Sequence, residues 1–383
     1  MAKNIVFVFH GIGQYQDGWM DLESCAVPIL KAAAKDYPFF AGKSLDTFTE
    51  FVPILYDDVF ERILKHWQDL AKGLKGAVPV LPAFAEEVIG LMEQAGEDKW
   101  SLKTGADVAL YWGFKLFQQR VVLRVLAQIT AKIASTITAA DQTPHYHILA
   151  HSMGTAVAHD ALHHLGTEAW LTAIQNAPLD DEDGEAAGKD RAAYLTSHAR
   201  LREATHRHNP FSPEVFAFQS VTMLSNVTGL IHGAESPYHS IVRPGTPGDS
   251  GAFTNVYLNV NHAFDPISIV GKFRMPAGWV MGGNGIDISL KHVIDKIEHI
   301  HDAAHYVRHP DVHLRLLAQY VDQYVPSDDD VKKVANFDAK FSIDKLDQRA
   351  TQALAALASG DTGPLAQLVT RLRGLTGLLE ERP

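Results

Sequence analysis

Five apolar residues, Ile5-Val6-Phe7-Val8-Phe9, run without interruption into His10-Gly11-Ile12-Gly13. A continuous β-branched and aromatic run that ends in glycines predicts a strand buried on both faces and a tight turn at its carboxyl end. The same kind of run recurs at residues 49–56, 145–150, 216–224 and 255–260, and more weakly at 286–293. Between these runs the apolar spacing becomes helical, over residues 19–35 (ended by Pro38), within 57–138, and over 155–165 and 314–324. Two further helical segments follow residue 340, separated at 360–364, while the acidic, Gly-containing stretch 180–190 reads as a surface loop. Near-continuous apolar strands alternating with helices predict an α/β fold whose mainly parallel sheet is covered by helices on both faces.

Composition narrows the class. The chain has 383 residues, 46% of them hydrophobic and 21% charged, which is the range of a packed globular protein. Lys and Arg number 34 against 45 Asp and Glu, a formal charge of 34 − 45 = −11, so nucleic acid is not expected as a main partner. A single cysteine, Cys25, leaves no internal disulfide to form. The first apolar run is too short for a signal-peptide core. The longest apolar stretch, residues 108–137, is interrupted by Lys115, Arg120, Arg124 and Lys132 and is no transmembrane segment. The expectation is a cytoplasmic protein, with secretion by a signal-less route compatible with the same sequence. No feature specifies an oligomeric state.

The chemistry concentrates at Ala150-His151-Ser152-Met153-Gly154, placed after a predicted strand and before a predicted helix. A nucleophile on so sharp a strand-to-helix turn needs small residues two positions before and after it, because larger side chains there collide. Ala150 and Gly154 meet that rule. The turn thrusts Ser152 Oγ out at the carboxyl end of the sheet and leaves the Met153 N–H at a helix N-terminus, facing a developing oxyanion. A second donor is expected from His10-Gly11-Ile12-Gly13, most directly the Ile12 N–H. The rival reading of this loop as a dinucleotide fingerprint fails, because position 16 is Gln where a third Gly is needed.

Together, Phe7-Val8-Phe9-His10-Gly11-Ile12-Gly13 and Leu149-Ala150-His151-Ser152-Met153-Gly154 resemble the α/β-hydrolase superfamily, and within it bacterial lipases and esterases with Ala at the first elbow position. The resemblance spans residues 5 to about 320, apart from the helical stretch 57–138. It implies the chain order Ser, acid, His. Asp265, on the loop after the strand 255–260, is the acid it points to, with Asp287 as the alternative. The base falls among the four histidines of 299–309. His301 and His305 both fit the loop before the Pro310-Asp311-Val312 helix start; His301 is favoured, because Asp302 can cap a short helix carrying Tyr306. His299 and His309 read as solvated surface residues.

The resemblance thus implies a hydrolase core interrupted by a helical insertion and followed by a helical C-terminal extension. Residues 1–56 carry the oxyanion loop, 57–140 the insertion, 141–325 the elbow, acid and His, and 326–383 the extension. The insertion is rich in aromatics (Phe60, Trp67, Phe84, Tyr111, Trp112, Phe114, Phe117), which suits either a cap over Ser152 for an acyl chain or, for 106–137, a scaffold helix on the sheet. The implied activity is hydrolysis of a carboxylic ester through a Ser-His-Asp triad and an acyl-enzyme, on a small-molecule ester or lipid-like substrate, with transient membrane-surface contact compatible. Such a triad calls for no metal or organic cofactor. Thioesterase, amidase or acyltransferase chemistry on the same residues, and a non-catalytic binding module, are the alternatives. Two other patterns carry little. Gly248-Asp249-Ser250-Gly251 copies the letters of a chymotrypsin-type loop in a chain of the wrong architecture, and the scattered histidines lack the spacing of a metal site.

Overall fold

In the computed structural model the described residues are 3–11, 18–59, 62, 115–137, 144–176, 184–229, 242–245, 252–265, 273–276, 279–280, 284–292 and 300–341. Six strands, β1 (Asn4–Phe9), β2 (Thr49–Ile54), β3 (Tyr146–His151), β4 (Phe218–Leu224), β5 (Thr254–His262) and β6 (Gly285–Leu290), form one parallel sheet in the order β2-β1-β3-β4-β5-β6. The register aligns their carboxyl ends: Phe9 pairs with Ile54 and Ala150, His151 with Leu224, Leu224 with Val260, and His262 with Leu290. Loops that leave the strands therefore emerge along one edge.

Alternation along β1 sorts the core into two layers. Ile5, Phe7 and Phe9 pack under α2 (Lys115–Thr136), α3 (Met153–Leu165) and α5 (Gly184–Thr205), while Val6 and Val8 pack under α1 (Ala26–Ala34) and α7 (Pro310–Tyr320). Both faces of every central strand are buried, which is why the strands read as unbroken apolar runs. From α2, Val121, Val122, Val125, Leu126, Ile129 and Ile133 join the first layer. The C-terminal part of the stretch 57–140 is thus a scaffold helix rather than a cap; residues 63–114 lie outside the described residues.

Several boundaries differ from the pattern-based expectation. Residues 184–190 are not loop but the first turns of α5, where Glu185 pairs with Lys189 at 2.7 Å and Asp190 meets Arg124 of α2 at 2.9 Å. The burial of Ala187, Tyr194 and Leu201 holds this helix, whose first turns carry the charged residues that disguise it. The helix expected over 19–35 begins at Ala26, after a one-turn 3₁₀ helix at Trp19–Asp21. The helix expected over 314–324 is α7, set four residues earlier: His309 accepts from the Asp311 N–H at 3.2 Å and Pro310 occupies the first turn. Residues 261 and 262 belong to β5, not to a loop. Of the C-terminal extension, α8 (Asp328–Phe341) is described and docks beside α7; between β6 and α7 lies the one-turn-plus helix α6 (Ala303–Val307), and after α3 the short α4 (Glu168–Asn176).

Neutral histidines are built into this core. His147 on β3 bonds Ser220 on β4 at 2.8 Å, and burial pushes its pKa down to about 3. His313 on α7 donates from Nδ1 to the Val307 carbonyl at 2.9 Å, so its Nε2 accepts from the Tyr37 hydroxyl at 2.5 Å; burial holds its pKa to about 4. An unfolded chain takes up these protons below about pH 6.5, whereas the folded one refuses them until pH 3–4. Stability is therefore full above pH 6.5 and lost as pH falls through that window, on the order of 1 kcal/mol per pH unit for each such histidine. Urea midpoints compared at pH 7.5 and pH 5 should fall at the lower pH with an unchanged slope; equal midpoints would contradict the neutral-histidine core.

Candidate active site

The chain leaves β1 towards α1 on one face of the sheet and leaves the adjacent β3 directly into α3 on the other. Opposite departures from neighbouring strands open a crevice at their carboxyl ends, the usual ligand position in an open parallel sheet. Gly11 and Ser152 flank it. A Cβ on Gly11 would lie 3.1 Å from Ser152 Cβ, and one on Gly154 would lie 2.2 Å from the His10 carbonyl oxygen. That carbonyl also accepts from the Tyr56 hydroxyl, which restrains it.

Ser152 sits at φ 53°, ψ −129°, a conformation that costs a residue with a Cβ about 1–3 kcal/mol. The strain is offset by three bonds. Its N–H donates to Leu224 O at 2.9 Å, and its own carbonyl accepts from Thr155 N at 2.8 Å and Thr155 Oγ1 at 2.7 Å. The Val227 N–H in turn donates to Thr155 Oγ1 at 3.0 Å, tying the elbow to the end of β4.

The structure brings Ser152, His301 and Asp265 into one hydrogen-bonded row. His301 Nε2 lies 2.9 Å from Ser152 Oγ, and His301 Nδ1 lies 2.9 Å from Asp265 Oδ2. The partners fix the tautomer of the neutral ring: Nδ1–H donates to the carboxylate, and Nε2 accepts from the serine hydroxyl. Asp265 is fully buried, and burial works against its charge. Bonds from His301, Tyr306 and Ser225 outweigh burial and hold its pKa well below the usual carboxylate range. The Tyr306 hydroxyl donates to Oδ2 at 2.5 Å and Ser225 Oγ at 2.7 Å. The His301 backbone is anchored as well, because His151 Nε2 donates to its carbonyl at 2.6 Å. Burial lowers the His151 pKa to about 3, which keeps that ring neutral.

The remaining candidates lie elsewhere. His305 does not reach Ser152. It is buried in a separate cluster, its ring parallel to His292 at 4.5 Å, each Nε2 facing the other's carbonyl at 3.3 Å. His309 is not a surface residue: it is buried, caps α7 and bonds Asp338 of α8 at 3.0 Å. His299 lies outside the described residues. Asp287 stands within β6 and accepts from Asn259 at 2.8 Å, away from the row. Met153 opens α3 with its N–H beside Ser152, whereas Ile12 and the 248–251 motif lie outside the described residues. His262, His292 and His305 place ring nitrogens within 4.8 Å of one another. A shared metal needs a lone pair in the plane of each ring. His262 donates from Nε2 to His292 O at 2.8 Å and accepts the Phe264 N–H at Nδ1, and the other two rings are stacked, so the cluster is a packed one.

Ser225 and Tyr306 were not foreseen as part of the site. Ser225 carried one signal, a polar residue directly after an apolar strand, the same position that Ser152 holds after β3. Comparison with family models, curated proteins and solved structures returns no match. Among the described residues, no helix is long and apolar enough to cross a membrane.

The row can carry one proton from Ser152 Oγ to His301 Nε2 beside a buried negative charge that stabilises the resulting imidazolium. Its geometry depends on Gly154. Gly154→Ala should lower stability by about 1–3 kcal/mol or more through overpacking, and Gly11→Ala, with a contact of 3.1 Å, by less. Chemical denaturation of the two variants checks the order; an unchanged midpoint for Gly154→Ala would contradict the close approach.

Proposed function

We propose that this chain is a serine hydrolase of the α/β-hydrolase type that cleaves a carboxylic ester through an acyl-enzyme. The observation that carries the reading is the continuous row Ser152–His301–Asp265 at the carboxyl edge of a parallel sheet, with 2.9 Å at each link and the serine on a strained strand-to-helix turn. Nucleophile, base and orienting acid in hydrogen-bond contact form a constellation recognised by geometry rather than by sequence position.

In this reading Ser152 Oγ attacks the ester carbonyl while His301 Nε2 takes its proton. The Met153 N–H donates to the oxyanion, a contribution of about 10²–10³ in rate for each such donor. The intermediate collapses as the imidazolium returns the proton to the departing alcohol, leaving Ser152 acylated. Water, deprotonated by His301, then attacks the acyl carbonyl; the carboxylic acid leaves and Ser152 regains its proton. Asp265 stays ionised throughout and keeps Nδ1 protonated.

Hydrolysis of p-nitrophenyl esters of increasing chain length tests the reading. Wild type should turn them over, and His301→Ala should lose at least about 10³ in kcat. Folded His305→Gln should lose less than about tenfold. No turnover of any ester, or equal losses in the two histidine variants, would contradict it.

A further inference from the structure

We infer that Tyr306 is a positioning residue that sets the basicity of His301 through the carboxylate they share. The inference rests on the proposed hydrolase reading and adds to it the group that tunes its base.

One oxygen carries the load. Asp265 Oδ2 accepts from His301 Nδ1 at 2.9 Å, from Ser225 Oγ at 2.7 Å and from the Tyr306 hydroxyl at 2.5 Å. Both hydroxyl donors are buried with it, in surroundings where a hydrogen bond to an ion is strong. Each donor withdraws negative charge from the oxygen that faces His301. A carboxylate so shared is a weaker partner for an imidazolium than a bare one, so removing a donor strengthens the hold of Asp265 on a protonated His301 ring. Orientation comes from the same contacts. Tyr306 lies on α6, Ser225 follows β4 at φ 50°, and Asp265 follows β5, so three separate elements fix one oxygen. Ser225 Oγ also stands 3.5 Å from His301 Nδ1, too far to compete for it.

Among the described residues, the other titratable groups facing this pair are His151 behind the His301 ring at 4.9 Å between centroids, His262 with its ring 6.1 Å from Tyr306, and Asp302 next to His301 in sequence. Burial lowers the pKa of His151 to about 3 and lowers that of His262 as well, which sets both rings apart from a shift caused by losing the Tyr306 hydroxyl.

Tyr306→Phe removes the hydroxyl and keeps the ring. The expected result is an acid limb of kcat/KM moved to higher pH by about one unit, the size a hydrogen bond to a charged group carries. Plateau kcat should fall by about tenfold with KM unchanged. Ser225→Ala should move the limb in the same direction. A residue that only packs would leave the limb where it is, so a profile superimposable on wild type, or a limb moved to lower pH, overturns the inference. So does a KM effect without a kcat effect. The imidazole titration of His301 followed by NMR in wild type and Tyr306→Phe gives the same comparison without turnover. Loss of ester hydrolysis in wild type therefore strikes the hydrolase reading alone, while an unmoved His301 titration strikes this inference alone.

Discussion

Two strand ends meet at closer than side-chain distance, and the site depends on that approach. The His10 carbonyl occupies the space that a Cβ on residue 154 would need, and Gly11 faces Ser152 with room for a methyl group only at 3.1 Å. Glycine at both places lets the loop after β1 and the elbow after β3 share one crevice. Ser152 is then forced into a positive φ, and the bonds from Leu224 and Thr155 absorb the strain.

The second constraint is electrostatic. Asp265 is a fully buried carboxylate, which on its own would favour the protonated form. The hydrogen bonds that converge on its Oδ2 reverse that preference. They come from residues 225, 301 and 306, so the charge is stabilised only when β4, β5 and the segment leading into α6 are all in place. Folding and the charge state of the site are thereby linked. In the proposed enzyme the same bonds would hold the imidazole in the tautomer that takes the serine proton.

The sheet was legible because burial on both faces demands unbroken apolar runs, as in Ile5–Phe9 and 145–150. Helix α5 was not, since half of its residues are polar and its buried side chains Tyr194 and Leu201 pack in a core contributed partly by α2, a helix distant in sequence. Ser152 announced itself through a purely local requirement, small residues on a sharp turn. His301 was favoured over His305 by one local cue, Asp302 at the start of a short helix carrying Tyr306, and Asp302 does stand at the N-cap of α6; the distances to Ser152 themselves are set by the tertiary path. The structure sends His301 to Ser152 and stacks His305 on His292. Ser225 and Tyr306 were hidden for the same reason: their role exists only in relation to residue 265.

The central claim is that Ser152 is an activated nucleophile. The most direct measurement is peptide mapping by mass spectrometry after exposure to a fluorophosphonate, with Ser152→Ala and His301→Ala in parallel. One phosphonyl adduct is expected, on Ser152, absent from Ser152→Ala and formed at least about a hundredfold more slowly in His301→Ala. No adduct on wild type, or an adduct on another residue that persists in Ser152→Ala, would contradict it.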